Sequence, residues 1–518
     1  MIYTAYFGNE MSLSTKTKGR RHIGFRLLLA VFVILGSTQA TARGAEQRSD
    51  PSTGSKAHDQ ATETVSEGRS AVDFYRDPAV RGEDAWRLSD EFVQYPLEPV
   101  DRLRPLLEIG DPFLGSGPIR PGVKTPTGQM LQPSFLLFGT FRSALQSFDS
   151  GDENTVEWSN RLDLHGNLNL SGTERLLFSM RPLDRRTGDY TGYNFYPKEE
   201  DGWREDFNAR LTQLYFEGDI GEIFPRLDPT DSRTFDVGFS IGRQPLMVQD
   251  GLLLNDIIDV VGITRNSLVF PGVSNLSMTG IFGWNHISRG NNDRGSNPGE
   301  NSAKLFGLLS QADTAWNNTL ALDLIYIDDN HDESAWYVGA ASTQRLGSLN
   351  TTFRVTASIP EHEDTLAASG GVLLLSQLSS TLSGSDNLAY LNTFWNIDQF
   401  TSAARGPDQS TPVANLGILY APVGMGSYGV PLGQPIDDTV GTAIGYQMFL
   451  DGIDSQLILE LGARTSTKSS REEDVLGLGA RYQRAIGRHH VLRLDAFVAA
   501  QEGDDLSYGL RTEWMIKF

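Results

Sequence analysis

A chain of 518 residues with a net charge of −21 offers too little basic surface to hold a phosphate backbone, which excludes nucleic acid as a partner. Cysteine is absent, so disulfides, thiolate metal sites and cysteine catalysis are excluded too. Hydrophobic residues make up 39% and the mean hydropathy is −0.29, an average that still leaves room for apolar residues at every second position.

Residues 16–26 carry Lys16, Lys18, Arg20, Arg21 and Arg26 and precede the apolar run 27–35. This is the basic-then-apolar order of an export signal. The run is too short to cross a bilayer as a helix, which takes about 20 residues, and Ala40-Thr41-Ala42 supplies a cleavage site. Residues 1–42 are therefore expected to be a signal peptide, with Met11 as an alternative start. Residues 43–70 are small, polar and charged without apolar periodicity and read as a disordered linker. Residues 71–132 are rich in proline and glycine, as in Pro118-Ile119-Arg120-Pro121-Gly122, and read as a periplasmic extension with little regular structure.

From 133 to 518 the texture changes to segments of roughly ten residues that alternate apolar and polar, separated by turn residues. In 156–170, Val156, Trp158, Leu162, Leu164, Leu168 and Leu170 share one face, and Glu157, Arg161, Asp163, His165, Asn167 and Asn169 the other. Segments 319–328, 351–359, 476–483 and 492–498 follow the same rule, while 207–220 and 258–266 are noisier. The spacers are turn pieces such as Asp451-Gly452-Ile453-Asp454, which fits strands rather than helices. The expected fold is all-β: a closed antiparallel transmembrane β-barrel of about 18 strands (16–18), an even number as bacterial barrels require. Connections after even-numbered segments are mostly short (171–172, 346–349, 451–454, 486–489); those after odd ones include 182–205, 289–302 and 400–439, expected as outside loops. The stretch 221–234 is too long for a simple turn.

The chain ends in Tyr508-Gly509-Leu510-Arg511-Thr512-Glu513-Trp514-Met515-Ile516-Lys517-Phe518, with Phe518, Ile516, Trp514, Leu510 and Tyr508 on one face. This resembles the C-terminal strand of outer-membrane barrels, which implies the barrel-insertion machinery as a partner through Phe518, and outer-membrane lipid and lipopolysaccharide as surroundings. Strand parity turns Arg161, Asp163, Arg175, Asp323, Arg354, Glu460, Arg464, Arg481, Arg493, Asp495, Arg511 and Glu513 inward, because an arginine facing lipid at mid-depth costs roughly 2–4 kcal/mol. Two readings of these charges stay open: ion pairs that brace the wall, or charge rings that control permeation.

Ile241-Gly242-Arg243-Gln244 ends a strand from Phe235 and leads into 245–255 with Asp250-Gly251. Here the chain resembles the bacterial alginate-export family of outer-membrane porins, in which a Gly-Arg-Gln enters a loop and an aspartate-containing strand follows, here from Asp256 or Asp259 to Arg265. The resemblance spans roughly 133–518 and implies an 18-stranded barrel, an arginine-rich lumen with Arg243 and Arg265 lining it, a constriction at 243–257, and passage of an anionic sugar-acid or polysaccharide-like solute. The chain departs from that family in its many lumen acids and its long N-terminal extension. The expectation is thus a passive channel for small or polymeric hydrophilic solutes, not an enzyme, with no cofactor and no metal.

Two other classes compete. His286-Ile287-Ser288 places an imidazole and a hydroxyl on one face at a spacing similar to outer-membrane phospholipase A, although nothing selects Asn275 or Asn285 as the third group. A secreted all-β binding protein would share the alternation but has no need of the terminal strand pattern. Asp328-Asp329-Asn330-His331-Asp332-Glu333 is acidic enough to suggest a calcium loop, but Glu333 stands where an EF-hand needs glycine, so a solvated outside loop is expected.

Overall fold

The computed structural model describes residues 102–518 apart from 114–120, 150–153, 186–189, 228–233, 290–296, 301–302, 330–332, 363–366, 410, 430, 434–436, 469–473 and 503–504. The expected signal peptide, the linker and the first part of the extension lie outside the described residues, as does the centre of the acidic segment 328–333.

Alternating sequence becomes a closed wall. Its strands are β1 (Ser134–Asp149), β2 (Asn154–Asn169), β3 (Arg175–Met180, resumed at Thr191–Tyr196), β4 (Gly202–Arg204, resumed at Leu211–Asp219), β5 (Gly238–Val248) and β6 (Leu254–Phe270). Next come β7 (Val273–Asn285), β8 (Lys304–Thr314), β9 (Asn318–Asp328), β10 (Ala335–Leu346), β11 (Leu349–Pro360) and β12 (Gly371–Thr381). The ring is completed by β13 (Leu388–Asp398), β14 (Thr439–Leu450), β15 (Ser455–Ser466), β16 (Val475–Ile486), β17 (His490–Gln501) and β18 (Ser507–Lys517). Each is antiparallel to the next, and β18 pairs back onto β1 from Tyr508↔Asp149 to Lys517↔Thr140. The result is an 18-stranded antiparallel barrel. Closure matters because an open edge would leave a row of unpaired N–H and C=O groups, which hydrocarbon does not tolerate.

The two faces differ as the alternation requires. On β9, Leu322 and Leu324 are exposed outward whereas Asp323, Ile325 and Ile327 are buried inward. Outward aromatic pairs gather near the end of the barrel remote from the termini, including Tyr326–Trp336 (ring centroids 4.6 Å) and Phe282–Phe306 (5.2 Å). Trp514 and His490 (5.5 Å) lie near the terminal end. Aromatic belts at both rims are the usual pattern where a barrel meets two water interfaces.

Two connections depart from simple outside loops. The stretch 182–205, expected as one such loop, instead contributes wall: Thr191–Tyr196 resumes β3 against β2, and Gly202–Arg204 resumes β4. Only 197–201 crosses between them, while 181–185 leads off the end of the first part of β3 and is fastened by the Asp184↔Tyr190 bridge. The connection 399–438 folds into the barrel. Its Ala404–Arg405 pairs in parallel with Leu254–Asn255 at the head of β6, and Pro412–Leu416 forms a 3-10 turn. Leu252, Leu253, Phe400, Leu416, Leu419 and Tyr420 pack on inward wall residues Ile325, Tyr337, Leu373 and Phe394, so part of the lumen is an apolar core. An inward fold of this kind buries leucines that a solvated loop would expose.

At the terminal end, Leu107–Ile109 pairs with Phe135–Leu137, the part of β1 that β18 does not reach. Val123–Lys124 and Met130–Leu131 form a short hairpin. The long stretch after β4 starts with a one-turn helix, Ile220–Ile223, capped by Asp219, which accepts from Gly221 N at 2.8 Å.

Candidate lumen site

The inward faces of β1, β2 and β16–β18 carry two groups of ion pairs, one around Glu513 and Asp495 and one around Asp163. Cross-strand register sets Arg142 opposite Arg161, an unfavourable like-charge pair unless each has its own acid. Each does: Arg142 Nε reaches Glu513 Oε1 at 2.5 Å, and Arg161 is bidentate to Asp163 at 2.8 and 2.9 Å. Arg511 bridges Asp495 (2.7 Å) and Glu513, Arg481 pairs with Asp495, and Arg493 approaches Glu513 at 3.5 Å. Arg181, just past the first part of β3, joins Asp163 (3.2 Å), Asp184 (3.3 Å) and Asp408 of the infolded connection (3.4 Å).

The layering of these charges is uneven. Side-chain exposure is 17% for Arg481 and 20% for Arg493, against 8% for Asp495 and none for Glu513. In these pairs the carboxylates are the more buried partners.

The same wall holds the infolded connection through its backbone. Carbonyls of Val423, Gly424 and Met425 accept from Arg142 (2.9 Å), Arg161 (3.0 Å) and Gln146 (3.0 Å). Glu157 accepts from Ser427 N at 2.6 Å and Oγ at 2.7 Å, and from Tyr190. Further round, Glu460 accepts from Ile418 N (2.9 Å), Leu419 N (2.8 Å) and the Tyr390 hydroxyl. Backbone approaches this close need glycine. A Cβ at Gly417 would overlap the Glu460 carboxylate, and Gly426, at φ +55°, would place one against Glu157. On the far arc, the β5–β6 tip 249–253 bends inward: Gln249 donates to Asp323 at 2.6 Å and Asp250 pairs with Arg354. Residues 243–248 and 254–257, expected as part of a constriction loop, are strand, and only the tip between them enters the lumen.

Among the residues singled out from sequence, Arg481, Arg493 and Arg511 meet in one group of ion pairs, Arg161 and Asp163 in a second, and Glu460 anchors the connection. Arg464 is buried on the same strand as Glu460, and Asp323 and Arg354 meet the tip. Arg175 pairs with Glu217 near the terminal end.

Arg243 and Arg265 stand elsewhere, and the inward assignment is corrected for both. Arg243 shares its strand face with exposed Ile241 and Met247 and is bidentate to Asp259 (2.8 and 3.0 Å), whose own face carries Val261 and exposed Ile263. Arg265 lies opposite Met278, also exposed, and donates to backbone carbonyls of Thr234 and Asp236. Both face outward, and each is held by partners of its own, the Asp259 carboxylate for Arg243 and backbone carbonyls for Arg265, which offset the cost of that placement.

The hydrolase reading fares poorly on geometry: Ser288 is only 4% exposed and its amide is tied to Asp256 at 2.8 Å, so the hydroxyl is walled in rather than presented at the outer surface. Tyr390 and Gln146, both central to the anchoring, were missed from sequence, although each sits at an inward parity position. The signal for the infolded connection was the apolar density of 416–425, Leu-Gly-Ile-Leu-Tyr-Ala-Pro-Val-Gly-Met, which a solvated loop does not carry.

No protein family and no curated protein matches the chain. Solved structures match in fold. OccK9 (OpdG) of Pseudomonas aeruginosa superposes with a TM-score of 0.51 at 11% identity, covering 74% of this chain and 98% of that one. The outer membrane protein OpdK of the same organism gives 0.48 at 12% identity (74% and 98%), and a BenF-like porin from Pseudomonas fluorescens Pf-5 gives 0.48 at 11% (74% and 99%). At such identities the likeness establishes a fold, that of outer-membrane porins. It does not extend to the alginate-export group that Gly242-Arg243-Gln244 suggested.

Proposed function

We propose that the protein is a bacterial outer-membrane channel that lets small hydrophilic, preferentially anionic solutes diffuse down their gradient, with its termini on the periplasmic side. One observation carries the charge preference: in the pairs on β16–β18, Arg481 and Arg493 keep 17% and 20% of their side chains exposed while their partner acids are more deeply buried. A fixed positive surface in a narrow, partly desolvated bore concentrates anions. The barrel fold and its outward apolar face support the membrane setting. The infolded connection 399–438 narrows the passage, which favours small solutes over a polymer such as alginate and supports a non-enzymatic role in which selection replaces chemistry.

Single-channel recording in a planar bilayer with a salt gradient tests the reading. A reversal potential of the sign set by anions is expected. Absence of any conductance, or a clear cation preference, would overturn it.

A further inference from the structure

Across the ring from the arginine-rich strands, beneath the β5–β6 tip, a cavity of about 380 Å³ is lined by Ser277, Thr279, Gln311, Thr319, Thr343 and Arg354, with Met247–Asp250 along one side. The size falls at the low end of small-molecule pockets, about 300–1,000 Å³, and suits one compact ring rather than an oligomer.

Its charges are already matched. Arg354 is paired with Asp250 and donates to Gln377 at 2.5 Å. Asp323 accepts from Gln249 Nε2 at 2.6 Å and from Ser310 N at 3.3 Å. The cavity therefore has no unmatched positive charge with which to attract an anion. Two polar atoms remain without a hydrogen-bond partner among the described residues, Gln249 Oε1 and Arg354 Nε. Their side chains line the cavity, and the residues are only 7% and 9% exposed. Buried polar groups are rarely left unpaired, and here one is an acceptor and the other a donor. Both atoms are closed off from the cavity space, so the partners open to a solute are the lining hydroxyls and the Gln311 amide, groups that both donate and accept as sugar hydroxyls do. Met247, Val248 and Leu309 offer an apolar side for ring C–H groups.

We infer that this cavity is a binding subsite for a hydroxyl-rich, uncharged solute or solute moiety of monosaccharide size. The inference rests on the channel reading and deepens it: the arginine arc and this cavity recognise different parts of solute chemistry.

The test uses the full chain in detergent, with glucose as the probe and saturation-transfer NMR as the readout. Transfer to glucose is expected, weakened about tenfold by Gln249→Leu and by Thr279→Val, and unaltered by Lys468→Ala, an exposed residue beyond the end of β15. Thr279→Val leaves the tip's bonds to Asp323 and Arg354 intact, so it separates loss of the subsite from loosening of the tip. No transfer, or equal transfer in wild type and both cavity variants, overturns the inference. Conductance recorded on the same preparations keeps the outcomes apart: conductance without glucose binding sinks the subsite alone, and binding without conductance sinks the channel.

Discussion

Replacing Glu460 by alanine should release the infolded connection. In the structure that carboxylate accepts from Ile418 N at 2.9 Å and Leu419 N at 2.8 Å, and also holds Tyr390. Hydrogen bonds to a charged group are worth roughly 1.5–3 kcal/mol each, so losing the two amide bonds shifts the balance against the seated connection by about 3–6 kcal/mol. Even the lower figure changes the ratio of displaced to seated forms by about 150-fold. Apolar packing of Leu416, Leu419 and Tyr420 opposes release, so complete unseating is not required for an effect. The assay is single-channel conductance of the reconstituted protein, with heat-dependent migration in SDS as the check that the barrel has formed. A larger conductance step, or a new and longer-lived high-conductance level, is expected. Glu460→Gln, which keeps an acceptor oxygen, should lie between alanine and wild type. Conductance steps and lifetimes identical to wild type in a correctly folded Glu460→Ala protein would refute the claim that this anchoring sets the bore.

Other predictions follow from the same geometry. Arg481→Ala combined with Arg493→Ala uncovers Asp495 and Glu513, so the reversal potential in a salt gradient should move toward cations. Arg243→Ala removes an outward-facing pair and should leave that potential unchanged; a shift as large as in the double variant would contradict its outward placement. Gly417→Ala should mimic Glu460→Ala in conductance, since the added methyl meets the same carboxylate. Deleting Phe518 removes the backbone pair with Gly139 (2.8 and 3.1 Å) at the barrel seam and should lower the fraction of heat-modifiable protein recovered in outer-membrane extracts.

Inward parity held for Arg161, Arg354, Arg481 and Arg511, with neighbours such as Leu162, Phe353, Val355 and Leu510 on the other face. It failed for Arg243 and Arg265, whose faces carry exposed Ile241, Met247 and Met278: each finds its own partner, the Asp259 carboxylate or backbone carbonyls, and is held without entering the lumen. The role of the inward charges was open from sequence because alternation states which face a side chain takes and says nothing of what occupies the space before it.

By itself, the sequence determined the barrel: alternation over 133–518, turn residues between segments and an amphipathic last strand admit few other solutions in a chain without spanning helices. Each of these signals is local, written within ten or so residues. Only the tertiary structure decided that 399–438 enters the lumen, that Glu157 and Glu460 hold it, and that Arg354 and Gln249 face a cavity together. Those contacts join residues far apart in the chain, over a hundred positions for Arg142 to Val423 and Arg354 to Asp250 and 41 for Leu419 to Glu460. They exist because closing the ring brings distant strands around one small volume, which the infolded segments then compete to fill.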